Sequence, residues 1–308
     1  MHDLVIIGGG PAGVAASIYA ARKRLQTVLV TEDIGGQSTV SESIKNWIGT
    51  EKITGMDLAK SFRMHLAAEK SDVVELVLGE HVMSLIKNAN GTFTVQTKTD
   101  KKFVARSVLV ASGAGRRKLD VPGAKKFENK GVTYCASCDG PLFANMDVAV
   151  IGGGNAGFET ALQLLAYAKS VTLIHRHKEF KADPITVEKA SAHENMRVIT
   201  HAEPTEIMGE QFVSGLKYKD KDSGEIKELA VSGVFVEAGV IPNTEFLDGL
   251  IELDAIRRIK IDPSNQRTSV EGIWAAGDCT DELYHQNNIA AGDGVKALED
   301  IYLWIKKH

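Results

Sequence analysis

Residues 4–13 read Leu4-Val5-Ile6-Ile7-Gly8-Gly9-Gly10-Pro11-Ala12-Gly13. Four consecutive apolar residues suit a strand buried on both faces, as in a parallel sheet. They run directly into a G-x-G-x-x-G turn. Ala15, Ala16, Ile18, Tyr19 and Ala20 then predict a helix of small residues, and Thr27 to Val30 predict a second strand. Glu32 stands 19 residues past Gly13. Each part has a task. Gly8, Gly10 and Gly13 allow a tight turn and a close approach of backbone to a pyrophosphate, with Pro11 and Ala12 opening the helix. The helix N-terminus supplies N–H donors, and the acid accepts from ribose hydroxyls. A glycine turn alone says little, but strand, turn, helix and acid in this order predict a dinucleotide cradle.

The pattern recurs 144 residues later. Val148-Ala149-Val150-Ile151 is a strand, and Gly152-Gly153-Gly154-Asn155-Ala156-Gly157 is the turn. Phe158, Ala161, Leu162 and Leu165 mark one face of a helix. The same offset carries Glu32 onto Arg176, flanked by His175 and His177, with Lys181 further on. An acid suits a free ribose 2′-hydroxyl, whereas an arginine grips a 2′-phosphate through paired charge-assisted hydrogen bonds. The first site therefore reads as FAD and the second as an NADP-type nicotinamide. The other reading makes Arg176 an exposed strand-end charge beside a site for NAD.

Short alternating strands follow each cradle. One set runs from Val73 to Gly113, with a hairpin turn at Asn90-Gly91. The other spans 198–239, turning at Asp222-Ser223-Gly224. The expected fold class is α/β, with two Rossmann-like dinucleotide-binding domains, each carrying a small antiparallel β insert. Gly115 to Gly123 and Pro242-Asn243 read as linkers.

Between the two cradles lies Cys135-Ala136-Ser137-Cys138-Asp139-Gly140. Two thiols at this spacing close a short disulfide and lower each other's pKa. The chain of 308 residues has 3 cysteines, too few for a disulfide framework. Half a zinc site lacks two further ligands, since Cys279 is the remaining cysteine, so no metal is expected. Asp139 reads either as a proton carrier for a thiolate or as a turn aspartate. A net charge of −4 leaves no electrostatic footprint for nucleic acid. No apolar run reaches membrane-spanning length, and Met1 leads into a strand without a basic leader. The expected compartment is reducing and cytoplasmic, where a Cys-x-x-Cys is catalytic or metal-binding.

These motifs resemble the low-molecular-weight thioredoxin reductases, flavoprotein disulfide reductases, over nearly the whole chain. They are also similar to the C-terminal flavoprotein part of the flavoprotein component of alkyl hydroperoxide reductases. The likeness rests on Gly8 to Gly13, Gly35-Gly36-Gln37, Cys135 to Gly140, Gly152 to Gly157, and Gly277-Asp278 followed by His285-Gln286. It implies an FAD domain made of residues 1–114 plus 242–308, and an NAD(P) domain of residues 115–241 that carries the cysteines. It implies that Asp278 holds the FAD ribityl chain, that Gln286-Asn287 meets the flavin ring, and that Asn46 and Gln37 lie near it. Gly36, Gly113 and Gly277 complete the expected contacts. It also implies a cytoplasmic homodimer with thioredoxin or a thioredoxin-like protein as partner.

Hydride would pass from NADPH to FAD, then two electrons to the Cys135–Cys138 disulfide and on to the partner. The likeness is imperfect at one place. The family pattern His-Arg-Arg-x-x-x-Arg is here His175-Arg176-His177-Lys178-Glu179-Phe180-Lys181. Lysine keeps charge but loses the planar fork. NADH thus stays open as donor. So does a reductase for a peroxiredoxin system, favoured by Gly131-Val132-Thr133-Tyr134 before the cysteines. A flavoprotein fed by ferredoxin, and one that senses redox state without turnover, also remain.

Overall fold

The computed structural model describes residues 1–41, 44–69, 73–247 and 249–308, with the side chains of Ser137, Cys138 and Val240 left out. The chain divides into two units, Met1–Gly115 with Ile241–His308, and Arg116–Val240.

The first unit opens with β1 (His2–Gly9), α1 (Pro11–Arg22) and β2 (Thr27–Ile34), the βαβ start read from the glycine turn. It continues with α2 (Gly55–Ala68), β3 (Val74–Leu78), β4 (Val82–Lys87), β5 (Phe93–Thr97) and β6 (Lys102–Val110). β7 (Ala114–Arg116) carries the chain out of the unit.

In the second unit come β8 (Val132–Thr133), α3 (Ala136–Asp139), β9 (Asp147–Ile151), α4 (Asn155–Leu164), β10 (Ser170–Ile174), α5 (Pro184–Ser191) and β11 (Met196–Ile199). The three strands β12 (Ala202–Gly209), β13 (Val213–Asp220) and β14 (Ile226–Leu229) precede β15 (Gly233–Val236). β16 (Val240–Pro242) brings the chain back, and β17 (Ile273–Ala275) and α6 (Asn287–Lys307) complete the first unit.

The main sheet of the first unit runs β3-β2-β1-β6-β5-β4, with β17 also on β6. Strands β3, β2, β1, β6 and β17 are parallel, while β4 and β5 join antiparallel. β6 divides its length between partners. Its first half pairs β5 from Lys102 to Ala105, and its last residues pair β17 from Val108 to Val110. Both faces of this sheet are buried, which explains the unbroken apolar runs. Leu4, Ile6, Leu29 and Leu109 face α1, α2 and α6, while Val5, Ile7, Val28 and Val30 face a second core with Phe93, Leu247 and Ile259.

The second unit repeats the plan with a parallel sheet β11-β10-β9-β15-β8 and a separate antiparallel sheet β12-β13-β14. Val148, Val150 and Phe235 pack with Phe158 and Leu164 of α4. Ala149, Ile151, Val234 and Val236 pack with Ile207 and Leu216 of the small sheet. The architecture is therefore α/β, with two parallel Rossmann-like sheets and antiparallel strands attached to each.

Candidate cofactor and redox site

The two glycine turns have the same stereochemistry, position by position. Gly8 and Gly152 lie at φ +111° and +130°, where a side chain is strained, and a Cβ on either would fall 2.2 or 2.1 Å from a carbonyl of the neighbouring strand end. A Cβ on Gly13 would lie 1.8 Å from Gly8 O, and one on Gly157 would lie 1.9 Å from Gly152 O. Gly10 and Gly154 differ from these. Nothing lies within 4 Å of a Cβ built on either, so their faces are open. Four glycines per turn are thus sorted into packing glycines and one that leaves room for a ligand.

Gly10 and Gly154 are the N-caps of α1 and α4, and neither helix has a side-chain cap or an acid in its first turn. The contrast inside the molecule is direct. In α2 the Thr54 hydroxyl accepts from Asp57 N, and in α5 the Asp183 carboxylate accepts from Ile185 N. Capping satisfies orphan N–H groups. At α1 and α4 those groups are left for an anion.

In the first unit the open turn lines a cleft of about 400 Å³. Gly8, Gly10, Pro11, Ala12, Glu32, Gly36, Gln37, Gly113, Gly277, Asp278 and Asn287 all border it. Gly13 lies behind the turn in contact with Gly8. Glu32 is exposed at the end of β2, and His81 Nδ1 meets its Oε1 at 3.1 Å. Asn287 Oδ1 accepts from Ser38 Oγ at 2.9 Å. Asn46 Nδ2 donates to Gln286 Oε1 at 2.9 Å, tying two segments that both read as flavin neighbours. Burial pushes the Asp278 carboxyl above the usual carboxylate range, and His285 nearby works against that. Cys279 behind it is a buried free thiol, pushed up to about 11 by burial, and is inert.

Several cleft residues carry no motif. Asn243 Nδ2 donates to Ser112 O, and Ser112 Oγ donates to Asn243 O, clamping two segments beside Gly113. Glu80 also borders the cleft. It is buried, and hydrogen bonds from Thr99, Lys101 and Thr97 hold its carboxyl down to about 2.

In the second unit Asn155 and Ala156 are exposed at the start of α4, and Asn155 Oδ1 accepts from Asp183 N at 2.7 Å. The residues after β10 separate into two kinds. His175 is buried. Its Nδ1 accepts from Gly153 N at 3.1 Å, so its Nε2–H faces Glu179 O at 3.0 Å. A Cβ on Gly153 would enter this ring at 2.5 Å. Both ring nitrogens are used inside the unit, so His175 braces the glycine turn, and burial lowers its pKa.

Arg176, His177 and Lys181 are exposed instead. Arg176 Nε donates to His177 Nε2 at 3.1 Å, and Lys181 N donates to Gly153 O at 3.2 Å. Lys178 and His201 both pair with Asp222, but no carboxylate among the described residues pairs with Arg176 or Lys181.

The cysteine segment lies on the same sheet. Thr133 of β8 and Val150 of β9 both pair with Phe235 of β15, in one parallel row. Cys135 and Gly152, each two residues further on, therefore leave the sheet at its carboxyl edge, where α/β sheets bind ligands. Cys135 precedes α3, and Asp139 ends it, with Asp139 N donating to Cys135 O at 3.1 Å. The Thr133 hydroxyl donates to Asp139 Oδ2 and accepts from Cys135 N. The Cys138 side chain lies outside the described residues.

Comparison with known proteins places these features. Residues 2–294 match the Pyridine nucleotide-disulphide oxidoreductase family. The chain is 41% identical over 299 residues to an alkyl hydroperoxide reductase component of Escherichia coli K12, covering 96% of this chain and 57% of that protein. It is 39% identical over 295 residues to a Bacillus subtilis NADH dehydrogenase, again covering 96% and 57%. The chain thus spans 57% of the length of these curated relatives. Among solved structures, Lactococcus lactis thioredoxin reductase matches with a TM-score of 0.94 at 34% identity, over 100% of both chains.

Proposed function

The chain belongs to the pyridine nucleotide-disulphide oxidoreductase family, and from that premise we propose that it is a flavin-dependent thioredoxin-disulfide reductase. The observation that carries the reading is the shared sheet edge of the second unit. One row of β8, β15 and β9 presents both the cysteine segment and the second glycine cradle. Cys135 takes part in a disulfide, while Cys279 is a free thiol. The likeness to a thioredoxin reductase over the full length of both chains supports thioredoxin, or a thioredoxin-like protein, as the partner.

FAD is assigned to the first unit and NADPH to the second, in keeping with the domains expected at residues 1–114 with 242–308 and at residues 115–241. The open face at Gly10 and the cleft beside it fit the pyrophosphate of FAD. Glu32 would take the ribose hydroxyls, Asp278 the ribityl chain, and Gln37, Asn46, Gln286 and Asn287 the flavin side. FAD supplies, when bound, two-electron exchange between a nicotinamide and a disulfide. The protein's own work is to hold and orient. Gly154 and the uncapped start of α4 receive the second pyrophosphate. Arg176 and Lys181, with no acid partner among the described residues, receive a 2′-phosphate. Asp139 moves a proton to or from a cysteine sulfur, and the dithiol reduces the partner by exchange. A cytoplasmic homodimer belongs to the same proposal. No helix among the described residues is long and apolar enough to cross a membrane.

A second reading is an NADH-dependent reductase of a peroxiredoxin system. His177 in place of an arginine, and the likeness to an alkyl hydroperoxide reductase component and an NADH dehydrogenase, favour it. Anaerobic stopped-flow bleaching of the FAD-loaded protein by NADPH and by NADH separates the two. Faster bleaching by NADPH, with turnover of oxidised thioredoxin that Cys135→Ser abolishes, is the expected result. Fast bleaching by NADH alone supports the second reading. Bleaching by neither, with dithionite still reducing the flavin, overturns both.

A further inference from the structure

Thr133 is the last residue of β8 and is buried at 5% exposure. Its hydroxyl is used twice. It donates to Oδ2 of Asp139, six residues on, and accepts the backbone N–H of Cys135 at 3.2 Å. The second bond alone is a common serine/threonine turn that shapes a backbone. The first bond is not needed for that turn. A hydroxyl has one proton to give, and here it is committed to the carboxylate. Thr133 is also β-branched on a strand, so its χ1 is stiff and the hydroxyl is held in place before any reaction.

We propose that Thr133 is a positioning residue for the cysteine pair: by donating to Asp139 Oδ2 it leaves Oδ1 as the oxygen that carries a proton to a cysteine sulfur. The inference rests on the reading of Cys135–Cys138 as the redox pair. The hydride given up by the nicotinamide amounts to two electrons and one proton: the electrons break the S–S bond and leave two thiolates, and the Asp139 carboxylate picks up the proton on Oδ1. One proton moves from Asp139 Oδ1 to one sulfur. The products are one thiol, one thiolate and the Asp139 carboxylate, which Thr133 already satisfies on its other oxygen. Because the same hydroxyl holds Cys135 N, acid and sulfur are fixed to one anchor.

The test uses the FAD-loaded full chain with Thr133→Val, Thr133→Ser, Asp139→Asn and the Val/Asn double variant. Valine keeps the shape and removes the hydroxyl. A hydrogen bond to a charged group predicts a loss of about tenfold to a hundredfold for Thr133→Val in kcat with oxidised thioredoxin. The KM for thioredoxin and the rate of flavin bleaching by the nicotinamide stay within about twofold. Thr133→Ser restores kcat to within about threefold. In the Asp139→Asn background Thr133→Val costs about twofold or less, because the two act as one unit. A Thr133→Val kcat within twofold of wild type overturns the inference, and so does full additivity with Asp139→Asn. Should the valine variant not fold, Thr133→Ala is read by the same criteria. A wild-type protein that bleaches but reduces no disulfide sinks the underlying functional reading instead.

Discussion

Arg176 Nε donates to Nε2 of His177 at 3.1 Å, and neither side chain pairs with a carboxylate among the described residues. The bond uses the inner edge of the guanidinium and leaves its outer N–H groups for a ligand. Arg176→Ala is therefore expected to raise the KM for NADPH about tenfold or more and to change the KM for NADH by about twofold at most. His177→Arg adds a second fork and is expected to raise the NADPH-to-NADH preference about tenfold. Initial rates with both nucleotides at one pH check both, and equal effects on the two nucleotides would exclude a 2′-phosphate grip.

The glycines of one turn are expected to fail in different ways. Gly10→Ala meets no atom within 4 Å, at a φ of −74° that alanine accepts, so thermal stability of the apoprotein stays near wild type. The added methyl faces the open approach to the turn, so FAD affinity falls about tenfold or more. Gly13→Ala puts a Cβ 1.8 Å from Gly8 O, and the turn must shift. It is expected to cost about 3 kcal/mol or more in stability. Thermal melts and fluorescence titration with FAD separate the two variants. A Gly13→Ala protein as stable as Gly10→Ala would contradict the assignment.

Glu80 sets part of the acid stability. Its folded carboxyl titrates at about 2, held down first by the hydrogen bond from Thr99, then by Lys101 and Thr97. An unfolded glutamate titrates near about 4.3. As pH falls, the unfolded chain takes the proton first. Stability from this group is therefore complete above about pH 5 and is lost as pH falls to about 2. Glu80→Gln is expected to lower Tm at pH 7 and to flatten the acid limb, the two curves converging near pH 2. Parallel curves from pH 7 to pH 2 would rule this out.

Asp278 works in the opposite sense. Burial raises its pKa, because the folded apoprotein solvates the charged form poorly. The folded state binds the proton more tightly than the unfolded state, so this group's contribution falls as pH rises through its titration. Asp278→Asn removes the titratable carboxyl. It is expected to raise the apoprotein Tm on the alkaline side of that titration and to leave it nearer wild type on the acid side. The same variant is expected to weaken FAD binding about tenfold or more. Calorimetry of apoprotein and a flavin titration check the pair, and a lowered apoprotein Tm would reverse the sign.

The parts of the site legible in the sequence are those where local geometry allows few residue types. Gly8 and Gly152 have a positive φ, and Gly13 and Gly157 have a carbonyl within 2 Å of any Cβ, so the turns announce themselves without tertiary information. The antiparallel strands were legible for the same reason at Asn90-Gly91, where Gly91 adopts φ +82°.

Other residues were hidden because register or distance brings them in. His81 reaches Glu32 across 49 positions, and Ser112 meets Asn243 across 131. Thr133 enters the redox segment through a strand of two residues. α5 did have a signal, since Asp183-Pro184 is a capping aspartate followed by proline at the first helical position. His175 shows how packing, rather than spacing, decides which way a motif residue faces. The missing Cβ of Gly153 makes room for its ring, so the residue turns inward.

The fork in β6 has a consequence for synthesis. Its last residues wait for β17, and α6 closes against α1 so tightly that a Cβ on Gly294 would fall 2.2 Å from Ala12 O. Both elements follow the whole of the second unit in the chain. A ribosome thus releases residues 116–240, contiguous and able to fold as a unit, while residues 1–115 are still held with an unfinished sheet. The cleft of the first unit, bordered by Gly277, Asp278 and Asn287, is assembled last. A message broken after residue 240 yields a complete second unit and an orphaned half of the first, without β17 and α6.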